Sequence, residues 1–341
     1  MNIVIVTTPN SELKETGFGT IRSCEHVLAS IKESGHTCSL SSCRTKYELE
    51  MVVKKKPDLV VLGVKYLSIE NEENLWLSDF FNSHGINFTG SLRDILEFDT
   101  DKISAKLHVN KHNIKTSAFF TALPGEHRDE STLPFSFPLF LKPIDAANGN
   151  GVDDFSYVSN FEDFKSKVLS LHNLYKQPVL VEEYLNGREF TVAIIEDVNC
   201  DLIVSAIEIV PPVSKNGLRI LGAKTKNDNS EVLMKILDLS LIKRVKKIAI
   251  DAFKSLGVRD FGRIDIKLNE SNDCYFLEAN LVPGMTTVTS YFPRAFSIDL
   301  GMSYDKVIKL VIGQGIRRVP IKIPIPPILS TSTYTNVQPS L

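Results

Sequence analysis

Residues 261–285, FGRIDIKLNESNDCYFLEANLVPGM, decide how this chain is read. Positions 262–268 and 274–279 are apolar-rich and bounded by turn formers, which predicts two short strands joined by a polar Asn/Ser/Asn/Asp turn. Side chains of a strand alternate between its faces. Arg263 and Asp265 therefore share one face of the first strand, and Glu278 and Asn280 share one face near the end of the second. Carboxylates, a carboxamide and a guanidinium can then converge. Hard oxygen donors of this kind suit Mg²⁺, which takes one or two carboxylates and completes its shell with substrate phosphates. The plain alternative is a hairpin turned to solvent with its charges outward. The apolar residues flanking Glu278 speak for a buried strand, which would otherwise have no reason to carry a carboxylate.

The rest of the chain gives this hairpin a setting. A length of 341 residues allows two or three domains with substantial cores, and the composition is that of an ordinary water-soluble protein. A net charge of -2 leaves no basic footprint, so neither nucleic acid nor an anionic membrane is expected as a partner. No stretch approaches the ~20 apolar residues of a membrane span, and Met1 leads straight into the strand-like NIVIVT without a signal peptide. A cytoplasmic setting is expected. The five cysteines are odd in number and scattered, without a metal-type CxxC pair, and read as reduced thiols.

Residues 2–7 predict a buried strand and residues 20–34 a helix stopped by Gly35, followed by a second β-α step through 59–63 and 75–81 that closes at 86–90. Strands alternating with helices imply a parallel, doubly covered sheet over residues 1–100. Gly17 and Gly19 precede the first helix, but they lie too far from the strand and lack the third glycine of a dinucleotide fingerprint. From Asp101 come a helix, strands at 139–142, 155–158 and 179–182, and a helix opened by Asn160. Strands at 190–196 and 202–210, a long helix over 231–255, the hairpin, and a helix from Ser303 to about residue 313 follow. Residues 318–341, rich in Pro, Ser and Thr, read as an extended tail.

GRIDIKL followed by YFLEANLVPGMT is similar to the ATP-grasp ligases, most closely the D-alanine:D-alanine ligase branch, where GR-x-D, LE-x-N and PGMT recur in this order. The resemblance implies an α/β ATP-grasp fold: an N-terminal parallel α/β domain (1–100) and two α+β subdomains (101–185 and 186–316) clasping ATP, with 317–341 as a tail. No GxxxxGK[ST] occurs, so a P-loop is excluded. Lys142 ends the apolar strand PLFLKP, where its ammonium reaches the strand edge. The resemblance makes it, with Lys102, the phosphate-binding pair, and sets the flap containing Asn150 and Gly151 over the phosphates. It gives Glu182, Tyr184 and Leu185 to adenine and Glu189 to the ribose; taken alone, each acidic residue is more often just surface. Asp265, Glu278 and Asn280 match the ligands of two Mg²⁺ ions, with Mn²⁺ as a substitute, and Arg263 and the Gly284 amide match the oxyanion stabilisers.

The same resemblance implies attack of a substrate carboxylate on the γ-phosphate, then of an amine on the acyl phosphate. Its weaker matches face the amino acids. Glu15, or the neighbouring Glu12, falls on the acidic residue that meets the first ammonium. In LGAKTKND, Lys224 falls on the phosphate-contacting lysine, but Thr225 stands where those enzymes have tyrosine. Their serine-rich flap is here Asn-Gly-Asn-Gly, and GVKYLSIENEEN replaces their HGxxGEDG. Thr289 falls on a hydroxyl position used for the second carboxylate. The expectation is an ATP-dependent carboxylate-amine ligase whose small-molecule substrates are amino acids bulkier or more polar than D-alanine, dimeric by family habit. A true D-alanine:D-alanine ligase and an idle ATP-binding module are the alternatives.

Overall fold

Ile3, Val4, Ile5 and Val6 of the first strand, β1 (Asn2–Thr7), are all fully buried. A strand buried on both faces needs cover on both, which parallel pairing with helical crossovers supplies. The computed structural model, which describes residues 1–9, 17–146, 148–214 and 216–320, has this arrangement. Helix α1 (Ile21–Glu33) leads to β2 (Thr37–Ser42), and α2 (Lys46–Lys54) to β3 (Leu59–Leu62), in a parallel sheet of order β2-β1-β3. β2 and α2 escape a search for apolar periodicity because β2 buries only Cys38; a Thr45–Glu48 capping box is what marks the start of α2. The strand expected at 86–90 is a single parallel bridge between Val60 and Phe88. The pair β4 (Tyr66–Leu67) and β5 (Leu75–Trp76), with α3 (Leu77–Ser83) and α4 (Arg93–Thr100), completes this region.

Asp101 caps α5 (Lys102–Lys111) through the amides of Ile103 and Ser104. An antiparallel sheet follows, built from β6 (Phe119–Ala122), β7 (Leu139–Pro143), β8 (Tyr157–Val158) and β9 (Val179–Glu183), in the order β6-β9-β7-β8. Helix α6 (Phe161–Tyr175) covers it with Phe164, Val168 and Leu171, as its 3.6-residue apolar spacing requires. The strand expected at 155–158 is shorter, because Asp153 caps a 3₁₀ turn at Asp154–Ser156.

The last region holds β10 (Glu189–Glu196), β11 (Leu202–Val210), α7 (Ala223–Asp228), β12 (Val232–Lys235), α8 (Leu239–Ser255), β13 (Phe261–Leu268), β14 (Cys274–Asn280), α9 (Tyr291–Leu300) and α10 (Tyr304–Arg317). Its sheet is antiparallel, in the order β12-β11-β10-β13-β14. The long helix expected over 231–255 is corrected: residues 232–235 pair with β11, and Asp238 caps α8 by accepting from the Ser240 and Leu241 amides. The final helix also runs further than residue 313, to Arg317. Beyond it, Arg318 holds buried Asp260 in a two-pronged ion pair at 2.5 and 2.7 Å. One core joins the β1/β3 region to β10, β13 and α8–α10. Among the described residues no helix is long and apolar enough to cross a membrane. The tail from residue 321 lies outside the described residues.

Candidate active site

β13 and β14 pair so that Arg263 lies opposite Asn280 and Asp265 opposite Glu278, with a bulge between Asp265 and Ile266. Strand alternation and register thus bring all four side chains to one place. Arg263 donates to both oxygens of Asp265, at 3.1 and 3.0 Å, and Asn280 Nδ2 donates to the same carboxylate at 3.2 Å. From β10, Thr191 Oγ1 donates to it at 2.7 Å. The Arg263 guanidinium also lies over the Tyr291 ring, 5.4 Å from its centroid.

A second cluster stands on α5, β7 and β9. Glu182 is 3% exposed and takes Lys106 Nζ on one oxygen at 2.6 Å and Lys142 Nζ on the other at 2.7 Å. Burial alone would raise the carboxyl of Glu182, yet Lys106 and Lys142 outweigh it and hold the group at about 2. Burial works against the charge of Lys142 too, but Glu182 and Glu278 keep it above the ordinary lysine value. Lys102 donates to the carbonyls of Ile144 (3.2 Å) and Ala146 (3.0 Å) at the foot of the flap; burial pulls it below the ordinary range, with Glu278 opposing.

Between the clusters lies a cavity of about 430 Å³. Lys102, Lys142, Asn150, Glu182, Tyr184 and Leu185 line one part of it; Glu189, Arg263, Glu278, Asn280, Gly284 and Thr289 line the other. Tyr184 stacks on Phe140, and Glu189 accepts from Lys267 Nζ at 3.0 Å. The Glu278 carboxylate accepts no hydrogen bond from a described residue, although its backbone is paired with β13. Burial would raise its carboxyl, but Lys102, Lys226, Lys142 and Arg263 overcome this and hold it at about 2.

Four expectations are placed differently. Gly151 is not in the lining; its φ of +77° and the nearness of Pro143 make it a structural glycine under the flap. Lys224 and Thr225 do not line the cavity either, whereas Lys226, on the same short helix, does. Asp265 sits just behind the lining, engaged by Arg263, Asn280 and Thr191. Glu15 and Glu12 lie outside the described residues. Sequence reasoning missed Lys106, Lys226, Glu231 and Tyr291. Lys106 had a signal: it follows Lys102 by four positions, hence on the same helix face.

Among the described residues no three His, Cys, Asp or Glu side chains form a metal cluster. Asp265 and Glu278 with the Asn280 carbonyl nevertheless fit a hard cation that draws its other ligands from substrate phosphates. Glu278, whose ionised carboxylate accepts no hydrogen bond from a described residue, is the most available of the three.

This fold and this site define an ATP-grasp ligase. Residues 105–313 match the family model described as D-ala D-ala ligase C-terminus. More than half of the sequence is covered, and the chain belongs to this family. The D-alanine–D-alanine ligase of Aquifex aeolicus is 26% identical over 319 residues, 92% of this chain and 100% of that protein. D-alanine–D-alanine ligase B of Clostridium perfringens is 29% identical over 277 residues, 79% of this chain and 87% of that one. The crystal structure of D-alanine–D-alanine ligase from Bacillus anthracis complexed with ATP superposes with a TM-score of 0.72 at 20% identity, covering 93% of this chain and 98% of that one. That likeness speaks to the fold.

Proposed function

We propose that this enzyme forms an amide bond between two amino acids, consuming ATP and releasing ADP and phosphate through an acyl phosphate. The observation that carries this is the convergence, on one cavity, of Arg263 braced by Asp265 with the ammonium groups of Lys102, Lys142 and Lys226 around Glu278. In this reading Lys102 and Lys142 hold the phosphates, and adenine lies against Tyr184 and Leu185 with Glu189 at the ribose. Arg263 and the Gly284 amide receive the charge that develops on the acyl oxygen, where a preorganised donor counts most. A bound Mg²⁺, held by Glu278, Asp265 and Asn280, would neutralise phosphate charge. The protein itself aligns and neutralises; it supplies no covalent nucleophile.

The relatives' names favour D-alanine on both sides, so that pair is the first to test. A second reading, an altered pair, is favoured by the absence of Thr225 from the cavity lining and by the Asn/Gly flap. Thr289 and the acidic residue at 12 or 15 belong to the amino-acid side in either reading. The setting we propose is cytoplasmic and the assembly a homodimer, which sedimentation would check. A screen of amino-acid pairs for ADP and phosphate release, with mass detection of the product, tests the whole reading. Release with D-alanine alone above all other pairs selects the first reading; a better pair selects the second. ATP binding without turnover of any pair would leave only an idle nucleotide-binding module.

A further inference from the structure

The segment that follows β14 keeps one amide open. Pro283 has no N–H to give. Leu281 and Val282 both donate to Asp99 Oδ2, at 2.6 and 3.4 Å. Met285 donates to the Phe18 carbonyl at 2.9 Å, and Thr286 to Ser290 Oγ at 2.8 Å. Gly284, between them, donates to no described residue, and it lines the cavity. Its other side is closed, because a Cβ there would stand 2.7 Å from Ser290 Oγ. The frame around this open amide comes largely from the N-terminal region. Asp99 stands near the end of α4, Phe18 precedes α1, and Ser23 of α1 shares a hydrogen bond with Thr286 Oγ1 at 2.7 Å. Asp99 also borders the cavity, but its carboxylate is turned to these amides and, through Oδ1, to Lys65 Nζ at 2.9 Å.

We infer that Asp99 is the positioning residue of the Gly284 amide. By holding Leu281 and Val282 it sets the path of the chain into Gly284, and so makes the N-terminal region part of the site for the acyl oxygen. This rests on the amide-ligase reading. A preorganised donor acts only from the right place, and a displacement of 1 Å can cost about a hundredfold in rate. The charge of Asp99 has a separate effect, since it favours the ammonium form of Lys102. In the reading above Lys102 holds phosphate, so loss of the charge alone should be felt in KM for ATP, and loss of the positioning in kcat.

The test uses the full chain with ATP and D-alanine, or with whichever amino-acid pair gives the most ADP release in the native enzyme. Asp99→Asn and Asp99→Ala both remove the charge, and only the first keeps an acceptor for the two amides. Asp99→Ala should lower kcat by about tenfold to a hundredfold, and Asp99→Asn should stay at least about tenfold above it. Asp99→Glu keeps the charge but moves the carboxylate by one methylene, and its kcat should also fall below that of Asp99→Asn. Should Asp99→Ala fail to fold, this last comparison carries the test. A near-native kcat in Asp99→Ala, equal losses in Asp99→Asn and Asp99→Ala, or a kcat for Asp99→Glu above that of Asp99→Asn overturns the inference. Each of these results leaves the ligase reading standing. Absence of ADP release from the native enzyme with every pair overturns that reading and the inference together.

Discussion

Arg263, Asp265, Glu278 and Asn280 stand on paired strands, whereas Lys224, Thr225 and Lys226 stand on a six-residue helix between two loops. On the strands, alternation and register settle which side chains meet, and the neighbours Thr191 and Tyr291 hold them in place. On the short helix, direction comes from packing of loop on loop. The Ala223 amide donates to the Val152 carbonyl at 3.2 Å, and Gly222 lies so close to that carbonyl that no larger residue fits. Two residues turn a helix by about 200°, so Lys224 and Lys226 face nearly opposite ways and only one can enter the cavity. Chemistry is fixed by the sheet and closure by the loops, and the two should respond differently to mutation.

The strand-borne end should break hardest at its buried ion pairs. Lys106→Met leaves Glu182 with one cation in place of two and should cost about 3–5 kcal/mol of stability, read by urea unfolding. A loss under about 1 kcal/mol would mean this end is less rigid than its contacts imply. The same carboxylate predicts an acid limb. Its folded value near 2 lies below the ordinary 4.5, so its contribution is complete above about pH 4.5 and is lost as pH falls towards 2. Glu182→Gln should shrink that limb to the part carried by Glu278, and lower stability at neutral pH, because Lys106 and Lys142 then lose the carboxylate they both contact.

For activity, Asp265→Asn and Glu278→Gln should each lower turnover by about 10² to 10³ with the fold retained; Asp265→Asn should also lower Tm, because the buried Arg263 then lacks its carboxylate. Near-normal ADP release from both at ordinary Mg²⁺ would remove the metal assignment. Because Glu278 is the freer carboxylate and Asp265 also braces Arg263, Mg²⁺ titration should separate them. Glu278→Gln should respond more to added metal, and Asp265→Asn should not be rescued.

This contrast also explains what the sequence makes legible. The hairpin is readable because its strands alternate cleanly and carry polar residues where apolar ones would otherwise stand; Lys142 is readable for the same reason near the end of β7, whereas Glu182 on β9 is assigned only through the resemblance. The stretch 231–238 reads as helix because it runs into the genuine period of α8. Only pairing with β11, a long-range interaction, shows that Val232 to Lys235 are an edge strand. Lys226 and Glu231 flank that misread boundary, so their part in the cavity is invisible until the loop is in place. Residues 10–16, which include Glu12 and Glu15, lie outside the described residues, and their candidate role stays with the resemblance.

The C-terminus offers a smaller test on the same principle. Arg318 belongs to the ordered body through Asp260 and the Phe88 carbonyl, and Asp260 in turn accepts from the Gly90 amide. A chain ending at Pro320 should match the full chain in stability and ATP binding. One ending at Gly315 should lose about 1–3 kcal/mol, as expected when a buried acceptor loses its donor. Equal stability of the two would show that the Gly90 contact alone satisfies Asp260.

The smallest expected effect separates the two lysines of α7. Lys226 lines the cavity and helps depress Glu278, so Lys226→Ala should lower kcat/KM by about tenfold to a hundredfold, the scale of one charge-assisted hydrogen bond. Lys224→Ala, on the opposite face of the helix, should change it by less than about threefold, the scatter of a surface substitution. The pair of variants tests the loop directly, because both remove the same charge from the same six residues and differ only in which way the side chain points. The Lys226 effect should appear mainly in kcat if the lysine meets the phosphate during transfer, and mainly in KM if it only closes the flap. A larger loss from Lys224→Ala would mean that the helix rotates on substrate binding and that the family position, two residues earlier, carries the contact after all. A loss shared equally would place both ammonium groups at the cavity mouth, and the loop would then act as a diffuse positive lid with no single contact.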